Sequence, residues 1–354
     1  VISSRRRSEF LERNEETRMS RGCERRGRCR GLHTSALAAL LLALADGSAI
    51  AQERYPAKPV RIVVSFAAGG PTDTVARIMG AKMAGLLGQT FVVENRPGAG
   101  GNTGAGMVAD APPDGYTLLM ATVSTHAINP GLYRKMPYDP VRDFAPVGQI
   151  GVTPTVLAVH PSVPVKDVQG LVALMRSSPG KLSYGSSGLG SILHLCGEQF
   201  KTSAGGLDAT HVPYKGSAPM ISDLVGGQIA LAFDALPTVL PQLQAGKIRA
   251  LGAGMATRAR ALPDLPTLQE QGIAGFECYT WNAILAPART PSPIVAQLSD
   301  AISKSLADPS VIKRLQDVGV DPTPGSTPEK LAEFIRLELA KWAPIIKASG
   351  AKLD

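Results

Sequence analysis

The chain is poor in aromatic residues, at 5%, and holds only four cysteines and five histidines in 354 residues. So few aromatics argue against base-stacking platforms for single-stranded nucleic acid, and no basic cluster is interleaved with those present. Beyond residue 51 there is no Cys-x-x-Cys, which excludes a zinc ribbon or thioredoxin-like site. His126, His160, His194 and His211 are not paired at zinc spacing, so no metal is expected. No stretch beyond residue 51 approaches the roughly 18 apolar residues of a membrane span. Nucleotide motifs are missing too. No P-loop pattern occurs, and in the run Gly98 to Gly104 the third glycine of G-x-G-x-x-G falls on Thr103. Gly185-Ser186-Ser187-Gly188-Leu189 misses G-x-S-x-G at its last position. Nucleotide binding and α/β-hydrolase chemistry lose their main warrants, and no cofactor is expected.

What is present starts with a basic leader. Residues 1–18 are charged and unpatterned, and Met19 is followed by Arg21, Arg25, Arg26, Arg28 and Arg30. Ala36 to Ala45 is an apolar run too short to span a bilayer, and Ala49-Ile50-Ala51 follows it. Basic region, short apolar region and Ala-x-Ala form a secretory signal, with a start at Met19 and cleavage after Ala51. Removing residues 1–51 lowers the net charge from +8 to +4, too mild and too evenly spread for nucleic acid. Cys196 and Cys278 then remain in an oxidising compartment. Whether they pair is open, because their Cα atoms must lie within about 7 Å. No cysteine follows the cleavage site, so no lipid anchor is expected there.

The remaining chain alternates short β-rich runs with helical periods, the pattern of an α/β protein with crossed parallel sheets. One series runs from the strand Val60–Val64 to the strand Tyr116–Ala121; a second begins after Val156–Val159 and continues to Ile248–Leu251. One strand, Ala283–Ala286, and three helices complete the chain, a tail with too few strands for a domain of its own. The reading is two lobes, 52–157 plus 281–354 and 158–280, with a ligand cleft between them.

Two segments repeat the order strand, small-residue loop, helix start: Val64 to Asp73, and Tyr184 to Ser191. A helix start carries unpaired N–H groups and about half a positive charge, and glycines let a ligand approach the backbone. One such loop per lobe predicts an anion clamp that needs no arginine. The plain alternative is helix capping by Thr72, Asp73 or Ser191. His194 reads as a helix-face residue, while His126, near Ser124 and Asn129, lines the cleft or caps a short helix. A triad of Ser124 or Ser187, a histidine and Asp234 stays open, though nothing selects it.

Six segments in order resemble the receptors of tripartite tricarboxylate transporters, the Bug-type extracytoplasmic solute receptors. They are Phe66 to Asp73, Asn95 to Gly101, Pro113 to Leu119, Tyr184 to Gly188, Val212 to Gly216, and Gly246 to Leu251. The resemblance implies a two-lobed type II periplasmic binding protein fold, without catalysis, that fixes a ligand carboxylate through backbone groups and water. It implies Gly70, Thr72 and Asp73 at the ligand from the first loop, Ser186, Ser187 and Gly188 from the second, with Ser124, Asn129 and Asp234 as further lining. An ionised Asp73 facing the cleft would favour an amino or hydroxyl group and repel a second carboxylate. Leu189 stands where a small polar residue, often Asn, is usual, and Ser65 where Pro is common. The expected ligand is a di- or tricarboxylate, an amino acid or an aromatic acid, captured in the periplasm by a monomer and passed to membrane subunits. Rival readings are a sensor for a signalling system and a serine-dependent hydrolase.

Overall fold

The computed structural model describes residues 55–353; the start at Met19 and the cleavage after Ala51 lie outside them. Strand β1 (Val60–Val64) buries apolar side chains on both faces, Val60, Ile62 and Val64 on one and Val63 beside Arg61 on the other, and runs parallel between β2 (Phe91–Asn95) and β3 (Thr117–Thr122). Such a strand must be covered twice. Helix α1 (Pro71–Leu87) covers one face, with Val75, Met79 and Met83 against Ile62, Val64, Leu118 and Met120. Helix α2 (Asn102–Ala109) covers the other, with Ala105 and Val108 against Val63, Leu119 and Ala121. A π-helical turn, Ser124–Ile128, and the short α3 (Asn129–Leu132) follow β3.

Strand β4 (Phe144–Val159) is long and changes partners along its length. Phe144 to Pro154 pair with β9 (Tyr279–Pro287), whereas Thr155 to Val159 pair with β7 (Leu231–Ala235), with β8 (Arg249–Ala253) alongside Val156 to Val159. Between them lie α4 (Val168–Ser177), β5 (Ser183–Ser186), α5 (Ile192–Ser203), β6 (Thr210–Pro213), α6 (Ser217–Val225) and α7 (Leu236–Gln244). After β9 come α8 (Ser292–Leu306), α9 (Pro309–Asp317), β10 (Asp321–Pro322) and α10 (Pro328–Ser349). The strand order is β2-β1-β3-β9-β4-β7-β5-β6, with β8 and β10 also on β4. Strand β9 is antiparallel to β3 and to β4, so β1 and β3 point their carboxyl ends toward the second lobe. Strand β7 is antiparallel to β4 and β5 is parallel to β7, so their carboxyl ends point back toward the first. Among the described residues, no helix is long and apolar enough to cross a membrane.

Helix α10 braces the shared strands through one buried carboxylate. Trp281 Nε1 at 2.9 Å and Trp342 Nε1 at 3.1 Å donate to Glu338 Oε2, and Lys341 Nζ lies 3.0 Å from Oε1. Cys196 of α5 and Cys278, just before β9, are disulfide-bonded, with Cα atoms 5.6 Å apart. The bond spans 82 residues and so restricts the unfolded chain over much of the second lobe. Reduction with a phosphine should lower stability by about 2–4 kcal/mol. Urea midpoints of oxidised and reduced protein measure this, and equal midpoints would show that the bond constrains nothing.

Candidate ligand-binding site

The loop after β1 enters α1 with Gly70, not a side-chain cap, at the N-cap and Pro71 at the first helical position. Thr72 and Asp73 therefore lie inside the helix, and capping does not account for them. Asp73, 3% exposed, reaches back to accept from Gly69 N at 2.9 Å. It also accepts from Arg77 Nε and Nη2, both at 3.0 Å, and from Asn95 Nδ2 at 3.0 Å. Asn95 Nδ2 also donates to Phe66 O at 3.0 Å, closing the loop on itself. Burial opposes ionisation of Asp73, but the bonds from Arg77, Gly69 and Asn95 outweigh it and hold the carboxyl below the usual range. Both oxygens are thus engaged by the chain's own donors. Asp73 shapes the loop and does not present the open carboxylate that would select an amino group. Ala67, Ala68 and Gly69 are exposed, so the loop shows backbone and methyl groups.

The π-helical turn after β3 forms a second wall in the same lobe. Asn129 Nδ2 donates to Gly100 O at 3.0 Å and to Asn102 Oδ1 at 2.7 Å, tying the glycine turn to it. Gly101 has φ +100°, and a Cβ there would stand 2.7 Å from Thr125 Cγ2. Ser124 begins the turn and is half-buried. His126 neither lines a cleft nor caps a helix. It is fully buried, with Phe144 at 4.8 Å edge-on and Tyr138 at 6.0 Å, and burial pushes it down to about 3.

In the second lobe β5 ends at Ser186, and the chain turns through Gly188 (φ +141°) and Gly190 (φ +75°) into α5. Ser191 is the N-cap of α5, its side chain accepting from His194 N at 3.2 Å. Ser186 is fully buried, and its Oγ lies 2.7 Å from His211 Nε2 and accepts from Gly188 N at 3.2 Å. Ser186 O accepts from Tyr214 N at 3.0 Å, and Ser187 O from Gly216 N at 3.1 Å. Gly190 is packed against Leu132 and Leu353, so this loop abuts the segment that follows Asn129.

Asp234, near the end of β7, is 1% exposed. Its Oδ1 accepts from Ser217 Oγ at 2.9 Å and Ala235 N at 2.7 Å, while Oδ2 has no partner. Burial pushes this carboxyl up to about 7 against those two bonds. The triad from Ser124 or Ser187, a histidine and Asp234 is not assembled: Asp234 meets Ser217, and His211 meets the buried Ser186. Residues that sequence reasoning passed over are His211, Tyr214 and Gly216, which brace the second loop, and Ser217, which holds Asp234. For Tyr214 and Gly216 the signal is the Val212 to Gly216 segment, which carries the family resemblance.

Two α/β lobes on shared strands, with small-residue loops and helix starts at the facing strand ends, define a type II periplasmic binding protein. The family described as tripartite tricarboxylate transporter family receptor matches residues 75–351, and the chain belongs to it. Protein BugT of Bordetella pertussis is 34% identical over 305 residues, covering 86% of this chain and 93% of the relative. Rpa4515 of R. palustris, solved with adipate, is 41% identical with a TM-score of 0.76, covering 84% of this chain and all of that one. MatC of Rhodopseudomonas palustris, solved with malate, is 35% identical with a TM-score of 0.72, covering 82% and 100%. Receptors of this family are periplasmic, bind small carboxylates and work with tripartite membrane components. The chain is a solute-binding receptor and not an enzyme.

Asp234 yields a pH prediction. In the unfolded chain an aspartate ionises near pH 4, whereas here it keeps its proton up to about 7. Its contribution to stability is therefore full below about pH 4 and is lost as pH rises through about 7. In Asp234→Asn that slope disappears, so variant stability minus wild-type stability should rise by on the order of 2–4 kcal/mol between pH 4 and 8. His211, lowered by burial to about 4, has the opposite slope between about pH 4 and 6.5, and His194, also lowered by burial, slopes the same way; both cancel in the difference. Urea denaturation at several pH values reads it, and a flat difference would contradict burial of Asp234 as an acid.

Proposed function

We propose that this chain captures a dicarboxylate in the periplasm and delivers it to the membrane subunits of a tripartite tricarboxylate transporter. One ligand carboxylate lies between the starts of α1 and α5, near Gly70, Thr72 and Asp73 on one side and Ser186, Ser187 and Gly188 on the other. Ser124, Asn129 and Asp234 line the remainder. The observation that carries this reading is the repeated construction itself: each lobe ends a cleft-facing strand in an uncharged, glycine-bearing loop that opens a helix. Such starts supply N–H donors and a favourable dipole without a cation. Relatives solved with adipate and malate support a dicarboxylate. Leu189, 52% exposed in the second loop, supports a methylene spacer over a hydroxylated one.

Residues 1–51 act as a cleaved export signal, and the receptor works as a monomer. The lobes, 52–157 with 281–354 and 158–280, close about the shared strands. Transport is favoured over sensing by the family alone.

A thermal-shift screen of residues 52–354, stripped of ligand, against adipate, malate, tricarboxylates, amino acids and aromatic acids tests this reading. A one-site ligand at about 100 times Kd adds roughly 2.7 kcal/mol, a shift of several degrees. Adipate should shift the midpoint more than malate, with no consumption of either. No shift with any carboxylate, or turnover of one, would overturn the proposal. Gly188→Ala, which forces a side chain onto φ +141° beside Tyr214 O, should weaken binding at least tenfold.

A further inference from the structure

Behind the second loop lies a cluster that the ligand reading does not use. The rings of His194 and His211 stack with centroids 4.1 Å apart and planes 21° from parallel, and Tyr184 stacks on the far side of His211 at 4.9 Å. His194 is 4% exposed. Each imidazole touches the ligand loop at a different end. His211 Nε2 lies 2.7 Å from Ser186 Oγ, which in turn accepts from Gly188 N. His194 Nδ1 accepts from Gly190 N at 3.2 Å. The five residues Ser186 to Gly190 are therefore held at both ends by two rings packed on one another.

We propose that His194 and His211 are positioning residues for the carboxylate loop, fixing Gly190 and Ser186 so that the start of α5 meets the ligand in one conformation. The inference rests on the receptor reading for its ligand but not for the loop. Positive φ at Gly188 and Gly190 leaves the loop with little stiffness of its own, so its shape depends on these two anchors.

The hold on Gly190 requires an uncharged His194. Because His194 Nδ1 accepts from Gly190, the ring carries its proton on Nε2, which faces Glu198 Oε1 at 3.9 Å. A second proton would have to enter at Nδ1, where the Gly190 N–H already points, and would break that bond. Glu198, which also meets Tyr184 OH and Lys201 Nζ, favours a charged His194, and Lys201 opposes it. Burial outweighs Glu198 and lowers both rings, His211 to about 4 with help from His194 beside it. The Gly190 end of the loop is thus anchored at neutral pH and released as His194 takes up a proton in acid, whereas a charged His211 still donates from Nε2 to Ser186 Oγ.

The test uses isosteres. Asn places an oxygen near the Nδ1 position of histidine and Gln one near Nε2. Amide hydrogen exchange by NMR, expressed as protection factors against Leu119 N in the core, reads the loop without any ligand. In His194→Phe and His194→Gln the Gly190 amide should exchange at least tenfold faster, whereas His194→Asn should restore protection to within about threefold. For His211 the pattern inverts: at Gly188, Gln retains protection and Asn or Phe loses it. Wild-type protection at Gly190 should fall as the pH is lowered from 7, while that of Leu119 does not change. If the Phe variants do not fold, the Asn and Gln pair still decides. Equal protection in Asn and Gln variants, or Gly190 protection unchanged in acid, would overturn the proposal. Calorimetry with adipate adds the second reading, with Kd raised at least tenfold in His194→Gln and His211→Asn. Absence of adipate binding to wild type would count against the ligand reading alone, leaving the exchange result to judge the loop.

Discussion

Sixteen residues of β4 belong to both lobes, and the geometry of the cleft follows from the change of partner between Pro154 and Thr155. A strand hydrogen-bonded to β9 on one side of that point and to β7 on the other cannot slide in register without exchanging buried and exposed faces. What remains available to the shared strands is bending and twisting, for which the two register irregularities opposite β9 and the one opposite β8 provide local slack. The strand also fixes polarity. All strand ends that bear ligand loops face one another because β7 runs antiparallel to β4 while β3 runs parallel to it, through β9. Glu338 secures the arrangement from behind, since removing it would leave two indole N–H groups without a partner in an apolar cluster.

The same polarity underlies the proposed anion site, which needs no cation. Parallel strands feeding helices place helix starts at strand carboxyl ends, so a fold with two such lobes brings two partial positive charges toward one cleft. Backbone donors of this kind are fixed by the fold and lose little entropy on binding, unlike an arginine that must be ordered. The cost is a loop soft enough to need support. In the first lobe Asp73, Asn95 and Arg77 supply it; in the second, His211, His194, Tyr214 and Gly216 do.

Much of this was legible in the residues, because period and punctuation report local structure directly. The β-branched run at Val60 to Val64, broken only by Arg61, the helical spacing of Val75, Ile78, Met79 and Met83, and the glycine-bearing loops each read as they stand. The first two-thirds of β4 did not, because Pro146, Gly148, Gly151 and Pro154 look like loop punctuation. They are tolerated since bulges absorb some of them and Pro154 sits where the strand leaves one sheet for the other. The roles of side chains were less legible than the elements. Asp73 reads as a ligand contact from its place in the motif, yet Arg77, one helical turn on, faces it, and Asn95 reaches it only through the parallel pairing of β1 and β2. The disulfide and the stacked histidines join residues 82 and 17 positions apart, and no periodicity carries such pairings.

A common electrostatic rule links the parts that sequence left open. Behind the cleft-facing loops, burial drives ionisable groups toward their neutral forms: Asp234 is pushed up to about 7 and His211 down to about 4, as is His126 in the core of the first lobe, down to about 3. Charges survive only where several donors converge, as on Asp73. A neutral wall adds no long-range field of its own, so the charge of a ligand is answered by fixed backbone dipoles over the short range at which they act. It follows that discrimination among carboxylates falls to shape and to the uncharged side chains lining the rest of the cleft. On the proposed reading Leu189, which sits in the second loop but exposes its side chain, bears on the rest of the ligand while the backbone donors of that loop stay as they are.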